Sequence, residues 1–304
     1  MKTTRRSFLR YAIIIPMGAT ASLFRGTRLL ADETGAALTL WQLPEQTRSQ
    51  MMSYVLETRG GEIIVIDGGT RGDAPYLRTF LEKLGNHVDL WILTHPHDDH
   101  VDAVVEIMKD PKGITVDRFY GSFPPRDWIV EHEKSSVGTI DAWEAVAQEK
   151  SLTLIEPKLG EILTVDGVTI EFLGPKNLEL TGNAINNSSI AFLVSTNKSR
   201  ILFTGDLGLE GGRKLLHSPL GKQLRADIVQ MAHHGQNGVG KDFYEAVAPK
   251  HCLWPTPRWL WDVDNGGGKG SGPWKTLEVR QWMRDMGVET HTLTWRGEAR
   301  LELP

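Results

Sequence analysis

Four side chains able to bind a metal, His95, His97, Asp99 and His100, fall within the run Thr94-His95-Pro96-His97-Asp98-Asp99-His100. Imidazole and carboxylate together are donors that suit zinc, manganese or iron, and a merely polar turn gives no reason for such density. The run follows the apolar stretch 88–93, read as a buried strand, and precedes residues 101–108, whose apolar positions recur at helical spacing. The ligands are therefore predicted on a strand-to-helix turn. Alternate side chains of an extended segment share a side, so His95 and His97 can reach one ion, while Asp99 and His100 at the helix start can aim at a neighbouring one. Two adjacent divalent ions commonly serve hydrolysis by making hydroxide from bound water.

With these residues the chain resembles the metallo-β-lactamase superfamily, whose signature His-x-His-x-Asp-His follows a strand. Three further segments carry the resemblance: Ile63-Ile64-Val65-Ile66-Asp67-Gly68-Gly69 upstream, Ile201-Leu202-Phe203-Thr204-Gly205-Asp206 downstream, and Met231-Ala232-His233-His234-Gly235 beyond that. Within the superfamily the likeness is to the C-terminal domain of the competence protein ComEC and its free-standing relatives. There Asn186-Asn187-Ser188-Ser189-Ile190, Thr204-Gly205-Asp206, Ala226-Asp227-Ile228-Val229 and His233-His234-Gly235 recur in the same order.

The resemblance implies an αββα sandwich of the α/β class with the site at the sheet edge. It assigns His95 and His97 to a first ion and Asp99 and His100 to a second, with Asp206 bridging. His234 is the preferred last ligand of the second ion because it immediately precedes Gly235, with His233 as its competitor and otherwise a neighbour of the ligands. Asp67 is expected to orient the histidine loop by hydrogen bonds rather than to bind metal. Asp99 and Asp206 are the catalytic candidates, Asp99 by orienting the nucleophile.

One motif departs from the lactamases. Where many members supply a histidine to the first ion, this chain has Asn186-Asn187-Ser188-Ser189. An amide oxygen is a harder, weaker ligand than imidazole, which would lower affinity at that site and suit manganese. Alternatively, Asn187 and Ser188 donate hydrogen bonds to an anionic substrate oxygen, or the asparagines only shape a turn. Two divalent ions are expected, zinc first, with manganese or iron as alternatives.

These residues need a scaffold, and the patterning supplies one. Residues 38–43, 52–58 and 62–67 read as a strand meander, and 75–84 as a helix ending at Gly85. The aromatic, proline-containing segment 117–134 and a helix over 137–150 are expected to overhang the site. Residues 152–155, 161–165, 168–173, 189–195 and 200–204 form a second β-rich half, with Asp166-Gly167 and Asn197-Lys198 as tight turns. A helix after Lys241, a strand over 250–254, a helix over 274–286 and strands over 289–294 and 298–303 complete the chain.

The first residues are read separately. Thr4-Arg5-Arg6-Ser7-Phe8-Leu9-Arg10 is a twin-arginine export motif, and the apolar stretch 11–17 behind it is too short for a permanent membrane span. Cleavage fits after Ala21 or Ala31, with Ala31 preferred, giving a signal peptide over 1–31 and a hydrolase domain over 32–304. The partner implied is the twin-arginine translocation machinery and the location the periplasm or beyond, with a membrane-tethered form if the signal stays uncleaved. The whole chain has 34 basic and 38 acidic residues; residues 1–31 hold six basic and no acidic ones, so the mature chain carries −10. That balance argues against bulk capture of nucleic acid.

The lone Cys252 excludes an intrachain disulfide and is read as a small core residue. Gly266-Gly267-Gly268-Lys269-Gly270-Ser271-Gly272 lacks the Gly-Lys-Ser/Thr ending of a phosphate loop and is read as a connection. Trp254, Trp259, Trp261 and Trp274 flank it as core or lid anchors. The leading expectation is an exported metal-dependent hydrolase acting on a phosphodiester or nucleotide-like small molecule. Hydrolysis of a carboxylic ester, lactone or β-lactam is the second, and a non-catalytic binding component of an envelope assembly the third.

Overall fold

The computed structural model describes residues 36–304, which lie within one compact unit; the export signal and its cleavage sites fall outside the described residues. The strands in chain order are β1 (Leu38–Gln42), β2 (Ser53–Thr58), β3 (Ile63–Asp67), β4 (His87–Val88), β5 (Leu90–Leu93), β6 (Thr115–Val116), β7 (Phe119–Gly121) and β8 (Leu154–Ile155), then β9 (Ile162–Val165), β10 (Val168–Gly174), β11 (Ala191–Ser195), β12 (Arg200–Phe203), β13 (Ile228–Gln230), β14 (His251–Trp254), β15 (Thr290–Leu293) and β16 (Ala299–Leu303). Two seven-stranded sheets result, ordered β16-β1-β2-β3-β5-β7-β8 and β15-β14-β13-β12-β11-β10-β9. The helices are α1 (Ala74–Lys83), α2 (Asp98–Lys109), α3 (Arg126–His132), α4 (Val137–Lys150), α5 (Leu209–Leu216), the single turn α6 (Ala232–Gly235), α7 (Lys241–Val247), α8 (Arg258–Asp262) and α9 (Thr276–Asp285).

The central strands are buried on both faces, which is why β3 and β5 read as continuous apolar runs rather than alternating ones. Their period of two still sorts the side chains. Ile64, Ile66, Leu90 and Ile92 join Phe172, Phe192 and Phe203 in a core between the sheets. Ile63, Val65, Trp91 and Leu93 face the opposite way, against residues of α1, α2 and α4. On the second sheet, Leu202, Val229 and Cys252 pack with Phe243 and Met283 of α7 and α9. Helix, sheet, sheet, helix is therefore the layering, the expected αββα sandwich, and each large side chain so buried contributes about 1.5–3 kcal/mol.

One local reading changes. The run 88–93, expected as one strand, breaks at Asp89, whose carboxylate turns back to accept from the Ile63 backbone N–H at 2.7 Å. The first piece pairs with β6, and only β5 continues the main sheet beside β3. The helix after the histidine run starts at Asp98, ahead of its first apolar position, and Asp99 and His100 stand in its first turn as expected. The segment 117–134 contains β7 and α3.

Both sheets deliver their functional loops at one edge. The pairs β3–β5, β5–β7, β12–β13 and β13–β14 are parallel, and Asp67, the His95–His100 turn, Asp206, the His233–His234 turn and Pro255 all lie at or just after the carboxyl ends of these strands. Crevices at such strand ends are where open α/β sheets bind ligands. The sheets are pinned to one another there: Ile190 donates its backbone N–H to the Thr94 carbonyl at 2.9 Å, and the Gln42 amide donates to the Trp254 carbonyl at 2.8 Å.

Candidate metal centre

Asp99, His100, Asp206 and His234 present ligand atoms that all lie within 4.8 Å of one another, and all four are buried. His234 Nε2 is 3.1 Å from Asp99 Oδ2 and 3.2 Å from Asp206 Oδ2, and His100 Nε2 is 3.3 Å from Asp206 Oδ1. Beside this tetrad, His95 Nε2 and His97 Nδ1 face each other at 3.0 Å, with His95 Nε2 4.0 Å from Asp206 Oδ2. Asp206 thus stands between the imidazole pair and the other three members of the tetrad, where a bridging carboxylate would stand.

The outer nitrogen of each imidazole says which inner nitrogen is free. Thr94 Oγ1 donates to Asp67 Oδ2 at 2.7 Å, so it can only accept from His95 Nδ1, 3.0 Å away. His100 Nδ1 donates to Asp67 Oδ2 at 2.6 Å, and His234 Nδ1 to the Pro255 carbonyl at 2.8 Å. His97 Nε2 donates to Glu133 Oε1 at 2.5 Å. Each ring then turns its other nitrogen inward, the one that a metal would take in place of a proton. His100 Nε2, His234 Nε2 and Asp206 Oδ1 are buried and make no hydrogen bond of acceptable geometry among the described residues. Buried polar atoms without partners cost about 1–3 kcal/mol each, and a shared cation is the partner that satisfies all of them. The residues fit divalent ions.

The local field agrees. Burial alone would raise Asp206, but His234, His100 and His233 hold it well below the usual carboxylate range. Burial alone would lower His234, but Asp206 and Asp99 raise it to about 10. Positive charge is therefore stabilised between these carboxylates, and a divalent ion would take the place of such protons. His95 differs: burial, then His100 and His97, push it well below its ordinary value, leaving a neutral ring.

Backbone geometry aims these groups. His233 and His234 both take left-handed conformations, with φ of 50° and 54°, and Asp67 does so at 53°. Such strain at non-glycine residues persists where surrounding structure fixes it, as at functional sites. Gly235 (φ 75°) is pinned further, because a Cβ there would lie 2.4 Å from the Trp254 ring. The consecutive left-handed turn sends His234 into the tetrad and His233 to the cleft wall, with Nε2 3.8 Å from Asp206 Oδ2 and 3.4 Å from Asn186 Nδ2.

Two candidates are not brought to the cluster. Asn187 Oδ1 accepts from the Gly211 N–H at 2.9 Å and its Nδ2 donates to the Gly182 carbonyl at 2.8 Å, so its amide joins the start of α5 to the preceding loop and is spent there. Ser188 Oγ accepts from the Asn177 N–H at 3.2 Å. Neither makes a polar contact with the clustered imidazoles and carboxylates among the described residues; Asn186, beside His233, lines the cleft. Ser189 holds the bridging loop by accepting the Asp206 N–H at 3.1 Å.

Glu133 and Gln50 join the site only through the fold. Gln50, in the loop after β1, donates to Asp99 Oδ2 at 3.0 Å, and Gln236 donates its side-chain amide to Gln50 Oε1 at 2.9 Å. No motif marks either, because their partners are distant along the chain. Both line a cleft of about 770 Å³ that opens over His97, Asp99 and Asp206 and is walled by α4 and Trp259. Trp259 is fixed by its N–H to the Arg48 carbonyl at 2.9 Å and by Trp274 edge-on at 4.8 Å. Cys252 is buried, and burial raises its thiol to about 12, which suits an inert core residue.

An αββα sandwich with imidazoles and carboxylates gathered at its strand ends defines a metal-dependent hydrolase. The description of the metallo-beta-lactamase superfamily matches residues 47–239, and the chain belongs to that superfamily. No curated protein matches the chain. Among solved structures, the metallo-beta-lactamase fold protein YhfI from Bacillus subtilis aligns over 87% of this chain and 99% of its own, at 12% identity and a TM-score of 0.53. The CmlA beta-hydroxylase, as a mutant, aligns over 88% of this chain and 54% of its own, at 14% identity and a TM-score of 0.51. At these identities the likeness is one of fold.

Proposed function

We propose that this protein is an exported phosphodiesterase that works with two divalent ions. His95 and His97 would hold the first and Asp99, His100 and His234 the second, with Asp206 shared between the two sites. The observation that carries the reading is the convergence of the inner nitrogens of His95, His100 and His234 on Asp206, with His97 facing His95, at the floor of an open cleft. Bound there, divalent ions supply Lewis acidity and an activated water for attack on phosphorus. The chain's own residues do the rest. Asp99, held by Gln50, orients the nucleophile, while Asp67, Glu133 and the Pro255 carbonyl fix the imidazoles. His233 and Asn186 meet the substrate from the cleft wall.

The charge of the walls narrows the substrate. Among the described residues Arg71 is the sole lysine or arginine lining the cleft, against Asp98, Asp102 and Glu133 beside the ligands. A singly charged diester, neutralised by the ions, suits such walls better than a polyphosphate. The same acidity favours a second reading, hydrolysis of a neutral ester or lactone. The loaded enzyme is expected to cleave bis-p-nitrophenyl phosphate and leave nitrocefin and lactones intact; turnover of a lactone or nitrocefin without the diester would replace the first reading with the second.

The likeness to the ComEC C-terminal domain supports the diester. Zinc is the expected ion, with manganese or iron as alternatives, and a signal over residues 1–31 ahead of a domain over 32–304 completes the reading. Transport by the twin-arginine machinery would load metal in the cytoplasm before export, so availability there selects the ion. Replacing Arg5 and Arg6 together by lysine is expected to leave the protein in the cytoplasmic fraction. Undiminished periplasmic protein would remove the export claim, and elemental analysis of the exported form would name the metal.

A further inference from the structure

We infer that Glu133 is a positioning residue that makes the first metal site competent by fixing the tautomer of His97. Among the described residues, one carboxylate ties three separate segments. Its Oε1 accepts from His97 Nε2 at 2.5 Å and from Ser136 Oγ at 3.3 Å, and its Oε2 accepts from the Ile185 backbone N–H at 3.0 Å. Glu133 stands at the carboxyl end of α3, His97 caps α2, and Ile185 leads into the asparagine turn that lines the cleft. The carboxylate is 23% exposed at its side chain and the imidazole 16%, so water competes little for their bond.

The consequence follows from which nitrogen is taken. A free imidazole divides its proton between two tautomers, and only the Nε2–H form leaves Nδ1 unprotonated toward His95 Nε2, 3.0 Å away. His95 has its tautomer set within its own strand-end turn, by Thr94. His97 does not: its partner comes from the segment between α3 and α4 that walls the cleft. The first ion's site is thus completed by the wall of the substrate cleft, whereas His100 and His234 are set by Asp67 and Pro255 at the strand ends. Ordering of that wall and occupancy of the first site are linked, and the link is reciprocal.

This inference rests on the two-ion reading, and one experiment separates their failures. Zinc is titrated into metal-free wild-type, Glu133→Ala and Glu133→Gln proteins against a chromophoric chelator, and long-range 15N–1H correlation spectra of the metal-free proteins report the His97 tautomer. Wild type is expected to bind two ions with His97 as the Nε2–H tautomer. Glu133→Ala should lose about 10–100-fold in affinity for one ion only, with a mixed His97 tautomer. Glu133→Gln, which keeps an acceptor oxygen, should restore the tautomer and most of the affinity. A wild type that takes up fewer than two ions would refute the two-ion reading itself. Two ions bound with unchanged affinity in Glu133→Ala, or an unaltered His97 tautomer, would overturn the role of Glu133. Equal weakening of both ions would mark Glu133 as merely structural, and a Glu133→Gln variant as impaired as Glu133→Ala would reject tautomer control.

Discussion

Asp206→Ala is expected to abolish hydrolysis and to release metal from both sites, while the fold survives. Among the described residues Asp206 is the one carboxylate within 4.0 Å of both imidazole groups, 3.3 Å from His100, 3.2 Å from His234 and 4.0 Å from His95. Removing a residue that only supports a ligand costs about 10–100-fold in affinity or activity, and loss of a shared ligand should exceed that, so a drop of more than roughly 100-fold is expected. The carboxylate sits on a turn after β12 whose backbone is held independently, through Ser189 Oγ to Asp206 N and through Gln230, whose amide donates to the Gly205 carbonyl at 3.0 Å. Circular dichroism should therefore match wild type. Substantial activity with a full metal complement in Asp206→Ala would sink the bridging role.

Asp67→Asn should hit the second ion without touching a ligand. Asp67 is fully buried, and its oxygens accept from the Thr94 N–H and hydroxyl, each at 2.7 Å, and from His100 Nδ1 at 2.6 Å. An asparagine can keep the bond from Thr94 N through its oxygen, but its NH2 then faces two donors. The relief available to His100 is to move its proton to Nε2, the nitrogen aimed at Asp206. That proton blocks coordination. The expected result is a loss of about 10–100-fold in affinity for the second ion. Asp67→Ala goes further and strands three buried donors, one of them on a histidine, for roughly 3–5 kcal/mol. In a domain of this size that lowers the melting temperature by roughly 10 °C. Chelator competition and thermal melts check both; unchanged metal affinity in Asp67→Asn would mean that the carboxylate does not set the His100 tautomer.

The legible parts of this molecule are those that the chain writes locally. Apolar runs of strand length marked β2, β3, β5, β11 and β12, and spacing marked α1, α4 and most of α2, because burial on one or two faces is imposed residue by residue. The break at Asp89 escaped, since it depends on a bond to Ile63. The same distinction runs through the site. His95, His97, Asp99 and His100 declare themselves by spacing, whereas Asn187 and Ser188 drew attention by position in a motif. Only their bonds to Gly211, Gly182 and Asn177 show them turned to other work.

By itself, then, the sequence determined the donor set, the layered sandwich and the class of chemistry, because ligand density in a short turn and two-faced apolar strands are local properties. The tertiary structure alone decided which nitrogen of His97, His100 and His234 faces inward, which of His233 and His234 joins the tetrad, and that Glu133 and Gln50 stand beside His97 and Asp99. A proton's place on a ring is set by whatever acceptor stands behind it, and those acceptors arrive across 33 residues for His100, 36 for His97 and 21 for His234. No spacing rule spans such distances; two sheets meeting at one edge do.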